Sequence, residues 1–175
     1  MMNGQRRLHI GIGHEVAVTD ALADRGWLVQ PWGQGLIREE IRAALVTRYP
    51  PVLWRWIPDL IAVKGKTVVL VDPKTSLRSD TPNFAIEQSA LIAHQIMANL
   101  GLQIVYVFAD LTCNEVRHLK IAHRTLDSQR LATGGSGTPF VLVRKADQRP
   151  LDDVFGPPVG HPESLVVAYD DVRLP

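Results

Sequence analysis

Apolar residues follow two patterns along this chain, and each pattern predicts a different kind of element. Recurrence every three or four residues is typical of helices, whereas short runs rich in valine and isoleucine are typical of strands. Helical spacing predicts three helices, at residues 13–25, 37–48 and 83–100. Short apolar runs predict four strands, at residues 27–32, 59–63, 67–71 and 103–109. Helices and strands are therefore interspersed over residues 13–109.

Glycine, proline and asparagine mark the ends of the predicted helices. Gly26 and Gly101 follow the first and third helices, where a residue in the left-handed conformation commonly ends a helix. Pro50 stops the second helix, because the residue before a proline is disfavoured in helical geometry. Asn83 is the predicted N-cap of the third helix. These residues give the helices boundaries that periodicity alone does not supply.

The strands at 59–63 and 67–71 are separated by a tight turn around Gly65, which makes them a β-hairpin. A hairpin followed by a helix and by a further buried strand gives a mixed sheet with helices on both faces. The predicted fold class is α/β, a three-layer sandwich around a mixed central sheet. Its element order is αβββαβ, with the helix at 37–48 inserted after the first strand.

The C-terminal residues carry a weaker pattern. Their predicted elements are a short helix at 114–123, a loop at 133–138, and strands at 139–144 and 165–169. The chain has 175 residues, enough for one domain with a full core and too few for two. We therefore expect a single domain over residues 1–175, with a core at 13–109 and a C-terminal extension at 110–175.

Composition narrows the class of protein. Apolar residues make up 46% of the chain and charged residues 21%, which is ordinary for a globular domain. No apolar run is long enough to span a bilayer, and the N-terminus lacks the apolar stretch of a signal peptide, so no membrane partner is expected. Cys113 is the only cysteine, which excludes an internal disulfide and a thiolate zinc cluster. We expect a cytoplasmic protein.

Three charged side chains fall at one end of the predicted hairpin. Asp59 opens its first strand, and Asp72 and Lys74 follow its second strand. The start of one antiparallel strand lies beside the end of the next, so the two aspartates should meet. Asp72 and Lys74 are two residues apart and point to the same face if the chain stays extended. The pattern predicts two carboxylates and one ammonium at a single site.

Two carboxylates at close range repel each other, and a hard cation between them removes that cost. Carboxylate oxygens suit Mg²⁺ or Mn²⁺, and the backbone carbonyl of Pro73 is a further candidate ligand. Such a cation would polarise a phosphodiester oxygen and lower the pKa of a bound water. Lys74 would orient that water or stabilise developing negative charge. The site therefore favours hydrolysis of a phosphodiester.

The motif Pro58-Asp59, followed after twelve intervening residues by Asp72-Pro73-Lys74, resembles the signature of the PD-(D/E)xK nuclease superfamily. The superfamily includes restriction endonucleases and archaeal-type Holliday junction resolvases, and the latter are closest in pattern. The resemblance implies a restriction-endonuclease-like αβββαβ core. It also implies that Asp59 and Asp72 bind the metal and that Lys74 assists the nucleophile.

The same resemblance implies two supporting residues. Glu15, on the first helix, occupies the place of an acidic residue that completes the metal site in resolvase-like members, and Gln88 matches a glutamine carried by some members after the lysine strand. Three departures stand beside these matches. Asp72 replaces the commoner glutamate, Pro73 is unusual at the middle position, and a helix is inserted before Asp59.

The sequence thus predicts a magnesium-dependent endonuclease that acts on DNA, as a resolvase-like, restriction or mobile-element and phage enzyme. By analogy with relatives that cut two strands, we expect a homodimer. The alternative is a nucleic-acid-binding or assembly module that keeps the fold and has lost cleavage. A small-molecule enzyme on a Rossmann-like sheet is least favoured, because no glycine loop able to cradle a phosphate is present.

Overall fold

The computed structural model describes residues 4–33, 36–38, 40, 41, 44, 56–75, 83–125 and 139–159. The helices in these residues are α1 (Gly4–Ala23), α2 (Gln88–Asn99) and α3 (Leu151–Phe155). The strands are β1 (Leu28–Pro31), β2 (Leu60–Lys64), β3 (Thr67–Lys74), β4 (Asn83–Glu87), β5 (Ile104–Phe108), β6 (Thr112–Glu115), β7 (Ile121–Thr125), β8 (Phe140–Arg144) and β9 (Arg149–Pro150). Short 3₁₀ turns lie at Val116–His118 and Lys145–Asp147.

A six-stranded sheet in the order β1-β2-β3-β5-β6-β9 forms the centre of the molecule. Its β3–β5 pair is parallel and its other pairs are antiparallel, so the sheet is mixed, as predicted. A second sheet has the order β4-β8-β7 and is antiparallel throughout. The parallel pair requires a crossover connection, and α2 lies within it.

The predicted hairpin is confirmed. Leu60 pairs with Val71 at one end of β2 and β3, and Lys64 pairs with Thr67 at the other. Gly65 closes the turn with φ of +60°, a left-handed conformation that glycine adopts without the steric cost of a Cβ. This register, extended by one residue, brings Asp59 opposite Asp72.

Buried apolar side chains form two clusters, one on each face of the central sheet. The first joins the sheet to α1 and α3, and it includes Val18, Leu22, Leu60, Ala62, Val69, Val71, Val105, Val107, Leu151 and Phe155. The second joins the sheet to α2 and to the second sheet, and it includes Phe84, Ile86, Leu91, Met97, Ile104, Tyr106, Phe108, Val141 and Val143. The architecture is therefore the predicted three-layer sandwich.

Strand β5 contributes to both clusters, because successive side chains of a strand point to opposite faces. Val105 and Val107 face α1, whereas Ile104, Tyr106 and Phe108 face α2. All five residues are buried, as the uninterrupted apolar run predicted. The strand therefore carries a row of side chains directly under the residues of α2.

Two predicted helix starts are wrong. Helix α1 begins at Gly4, nine residues before the predicted start. The predicted helix at 83–100 begins only at Gln88, because its first five residues form β4 and pair with β8. Asn83 is therefore not an N-cap but the first residue of a strand, paired with Arg144. Phe84 and Ile86 are buried in that pairing, and the free energy of burial outweighs the local preference for a cap.

The predicted helix at 114–123 is also wrong. Its residues belong to β6, a 3₁₀ turn and β7. The strand predicted at 139–144 is confirmed as β8. Of the helix predicted at 37–48, residues 40, 41 and 44 are helical, residues 37 and 38 are not, and the remainder lies outside the described residues. The predicted loop at 133–138 and strand at 165–169 lie outside them as well.

Residues beyond 109 also supply strands to the central sheet. β6 pairs with β5, and β9 pairs with β6 in turn. The division into a core at 13–109 and an extension at 110–175 stays a prediction. None of the helices in the described ranges is both long and apolar enough to cross a membrane.

Candidate active site

The ends of β2, β3 and β5 bring polar side chains to one region of the sheet. Asp59 directly precedes β2, and Asp72 and Lys74 lie in the last three residues of β3. In the parallel register of β3 and β5, Asp72 is the partner of Tyr106. Leu70 joins the apolar cluster beneath α2, so Asp72 and Lys74, two and four residues later, share that face of the sheet.

Asp72 and Lys74 form an ion pair with little exposure to water. The Lys74 Nζ lies 2.7 Å from the Asp72 Oδ1, and the two side chains are 21% and 5% exposed. Apart from the Lys74 ammonium, the buried Asp72 Oδ1 has no polar partner in the described part of the protein. Lys74 Nζ also lies 5.3 Å from the centre of the Tyr106 ring, a cation–π distance. Among the described residues, the negative charge on this buried oxygen is therefore balanced by Lys74 alone.

Asp59 is electrostatically coupled to the same group. Burial raises the pKa of Asp59 to about 7, repulsion from Asp72 and Glu15 adds to the rise, and Lys74 opposes it. A carboxyl with this pKa is costly to ionise in the protein without a further positive charge. The raised pKa of Asp59 therefore reflects, in part, the repulsion between the two aspartates.

Glu15 approaches the site from α1. Burial and the negative charge of Asp72 raise the pKa of Glu15, and His14 lowers it in part. The adjacent His14 holds this turn of the helix against the sheet, because its Nε2 lies 3.2 Å from the carbonyl oxygen of Val107. The structure thus brings Glu15 within electrostatic reach of both aspartates.

Gly33 supports the backbone of Asp59. The carbonyl oxygen of Asp59 accepts hydrogen bonds from the backbone N–H groups of Trp32 at 2.7 Å and Gly33 at 3.1 Å. A Cβ at position 33 would lie 2.8 Å from the Asp59 Cα and 2.9 Å from its Oδ1. Glycine is therefore the residue that permits this contact. In the sequence, Gly33-Gln34-Gly35 is typical of a loop, and no local pattern shows that position 33 must be glycine.

His94 is a site residue that sequence reasoning missed. It lies on α2, is 1% exposed, and its Nε2 is 2.6 Å from the carbonyl oxygen of Trp56. Its Nδ1 lies 2.7 Å from the Tyr106 hydroxyl and 3.5 Å from the Asp72 Oδ2. Burial lowers the pKa of His94, and Lys74 adds to this effect while Asp72 opposes it. A histidine beside Ala93 in the apolar stripe of a predicted helix was the signal that could have found it.

The side chains of the site fit a divalent cation only in part. The burial of the Asp72 carboxylate and its repulsion of Asp59 both favour a hard cation with oxygen ligands. In the described residues, however, no group of three or more His, Cys, Asp and Glu side chains is arranged to hold a metal ion. The side chains therefore offer a carboxylate site that needs additional oxygen ligands. Ligation by the Pro73 carbonyl and a role for Gln88 stay predictions.

Comparisons with known proteins place the fold. No protein-family model and no curated protein sequence matches the chain. The Holliday junction resolvase Hjc of the archaeon Archaeoglobus fulgidus superimposes with a TM-score of 0.51 and 12% sequence identity, over 83% of this chain and 100% of that one. A nuclease from a fusellovirus gives a TM-score of 0.44 and 12% identity, over 89% of this chain and 91% of that one. At 12% identity, a structural likeness shows the fold alone. The likeness to the resolvase confirms the predicted restriction-endonuclease-like fold.

Proposed function

We propose that this chain, which has the restriction-endonuclease-like fold, is a metal-dependent deoxyribonuclease that hydrolyses phosphodiester bonds with an activated water. The observation that carries the proposal is the grouping of Asp59, Asp72 and Lys74 at one end of the β2–β3 hairpin. The buried Asp72 Oδ1 there has no polar partner except Lys74 among the described residues, and the pKa of Asp59 rises to about 7. Both features describe a site that a cation would stabilise.

In this proposal, the carboxylates of Asp59 and Asp72 hold Mg²⁺ or Mn²⁺, and Glu15 and the Pro73 carbonyl are further ligands. When bound, the cation polarises the scissile phosphate and lowers the pKa of water. Lys74 stabilises the negative charge that develops on the phosphoryl oxygens and orients the attacking water, because its ammonium is held beside Asp72 at the edge of the site. Gln88 is a candidate for contact with the substrate.

DNA is the proposed substrate, and its branched forms are the first to test, since the resolvase that shares this fold acts on Holliday junctions.

A homodimer is part of the proposal. Ile92 and Ile96 on α2 and Leu100 at its C-cap are four residues apart and are 49%, 43% and 75% exposed, an apolar row that a second subunit could cover. A cytoplasmic location fits the single buried thiol of Cys113.

Cleavage of labelled DNA tests the proposal. A four-way junction, a linear duplex and a single strand are incubated with the protein in Mg²⁺, in Mn²⁺ and in a chelator. We expect cleavage of at least one DNA with metal and none with the chelator or with Asp72→Asn. Asp153→Asn is the matched control, because Asp153 is an exposed carboxylate on α3. Cleavage that survives in Asp72→Asn would refute the assignment of the site.

The second candidate is a DNA-binding module without activity. It is favoured by one observation, that no three ligating side chains are assembled for a metal in the described residues. A wild-type protein that binds the junction tightly and cleaves none of these DNAs in either metal would establish this alternative.

A further inference from the structure

His94 connects four parts of the proposed site through one imidazole. The ring lies on α2 and contacts Trp56 in the segment before β2, Tyr106 on β5 and Asp72 on β3. Its ring centre is 5.5 Å from that of Tyr106. Trp56 precedes Asp59 by only three residues, so the contact lies on the segment that delivers Asp59 to the site.

The hydrogen bonds of the ring have a defined direction. The carbonyl oxygen of Trp56 can only accept, so Nε2 carries a proton and donates it. In the neutral ring Nδ1 is then an acceptor, and the Tyr106 hydroxyl donates to it. Neither group therefore donates to Asp72, although Nδ1 lies only 3.5 Å from its Oδ2. The ring therefore lies beside Asp72 without a hydrogen bond to it.

The Trp56 contact also has a mechanical consequence. Residues 57–59 precede β2 and belong to no helix or strand. The carbonyl of Asp59 is held on one side by the N–H groups of Trp32 and Gly33. The carbonyl of Trp56 accepts a hydrogen bond from His94, whose Nδ1 lies 3.5 Å from the Asp72 Oδ2. The distance between Asp59 and Asp72 thus depends on a tether that starts at α2.

From this geometry we propose that His94 is a positioning residue, which fixes Asp59 relative to Asp72 by tethering Trp56 to α2 and which is itself oriented by Tyr106. The expected effect on cleavage rests on the proposed function. Loss of the tether also has an effect that can be measured in a protein without cleavage activity. Loss of the Nε2 donor loosens the segment, and the hydrogen bonds to the Asp59 carbonyl open more often.

Two substitutions distinguish the roles of the two ring nitrogens of His94. His94→Gln places an amide near the Nε2 position and can keep the bond to Trp56, whereas His94→Asn places one near Nδ1 and cannot. We expect the Mg²⁺ concentration for half-maximal cleavage to rise roughly tenfold in His94→Asn, the scale for groups that support metal ligands. It should rise much less in His94→Gln. The cleavage rate at saturating Mg²⁺ should change far less than the Mg²⁺ requirement in both variants.

Hydrogen exchange gives the readout that does not depend on activity. The backbone amides of Trp32 and Gly33 should exchange faster in His94→Asn than in His94→Gln. Tyr106→Phe keeps the aromatic packing and should produce a smaller change in the same direction. Trp27→Phe is the matched control, because it removes another buried bond from a ring N–H to a backbone carbonyl, that of Phe155 at 2.9 Å, in the cluster on the opposite face.

The outcomes distinguish the two proposals. Faster exchange in His94→Asn with an inactive wild-type protein would support the tether and refute the nuclease. Cleavage by the wild type, with the same Mg²⁺ dependence and the same exchange in His94→Asn, His94→Gln and Trp27→Phe, would refute the tether and leave the nuclease standing.

Discussion

Gly33 packs against the backbone of Asp59 with no room for a side chain. A Cβ at position 33 would come within 2.8 Å of both the Asp59 Cα and the Pro58 carbonyl oxygen. These are backbone atoms, so they cannot rotate away as the end of a long side chain could. The position of a proposed metal ligand therefore depends on a residue that carries no chemistry of its own.

The first prediction concerns this contact. Gly33→Ala should lower the free energy of unfolding by about 2 kcal/mol, the usual scale for overpacking, and it should reduce cleavage by displacing Asp59. Urea unfolding and the cleavage assay measure the two effects. Gly13→Ala is the control, because a Cβ there meets nothing within 4 Å. It should stabilise α1 by about 1 kcal/mol without loss of activity. A Gly33→Ala protein as active and stable as the wild type would show that the loop adapts.

The second prediction concerns the ion pair of Asp72 and Lys74. Lys74→Met keeps most of the aliphatic volume but leaves the Asp72 carboxylate buried without its cation. We expect a loss of about 2 kcal/mol, below the usual value for a fully buried pair because Lys74 is partly exposed. Asp72→Asn in the Lys74→Met background should restore most of this loss. A double-mutant cycle from urea unfolding measures the coupling, and additive effects would contradict a stabilising pair.

The hairpin and its charged end could be predicted from the sequence because they depend on neighbouring residues. The β-branched runs, the Gly65 turn and the period of two along a strand are all local, and together they place Asp59 opposite Asp72. β4 could not be predicted in this way. Its apolar residues Phe84 and Ile86 suit a helix or a strand equally, and the choice depends on pairing with β8, which is distant in sequence.

The supporting residues of the site were harder to find for a similar reason. Gly33 was visible as part of a loop, but its need for glycine arises from contact with Asp59, 26 residues later. His94 was visible as one polar residue within an apolar stripe, but its partners lie on three other segments. Glu15 was placed by family resemblance, and its coupling to Asp72 depends on how α1 docks on the sheet. Contacts between distant segments carry no local pattern.

The third prediction compares the two supporting residues that were assigned by resemblance. Glu15→Gln removes the negative charge that interacts with both Asp72 and Asp59. We expect cleavage at low Mg²⁺ to fall roughly tenfold, the scale for groups that tune a metal site. Gln88 is six residues before His94 on α2, which places it about 9 Å away along the axis and about 120° around it. Gln88→Ala should therefore act less strongly than Glu15→Gln. A larger effect of Gln88→Ala would identify it as the more important group.

The fourth prediction concerns the pH dependence of stability. The pKa of Asp59 is about 7 in the folded protein, against an ordinary value of 3.8. Between these values the folded state keeps a proton that the unfolded state has lost, so stability should fall as pH rises from about 4 to about 7 and should fall no further above that. Mg²⁺ binds the ionised form, so it should raise the melting temperature more at pH 8 than at pH 5.

Asp59→Asn provides the decisive comparison for this dependence. The amide has nearly the same shape and no charge, so the metal-free variant should be more stable than the wild type at pH 8 and less sensitive to pH between 4 and 7. Its melting temperature should also respond little to Mg²⁺, because one ligand is lost. Melting curves of both proteins, with and without Mg²⁺ at each pH, test the whole argument. If the wild type and Asp59→Asn show the same pH profile, Asp59 ionises freely in the folded protein, and the repulsion that makes this site attract a cation is absent.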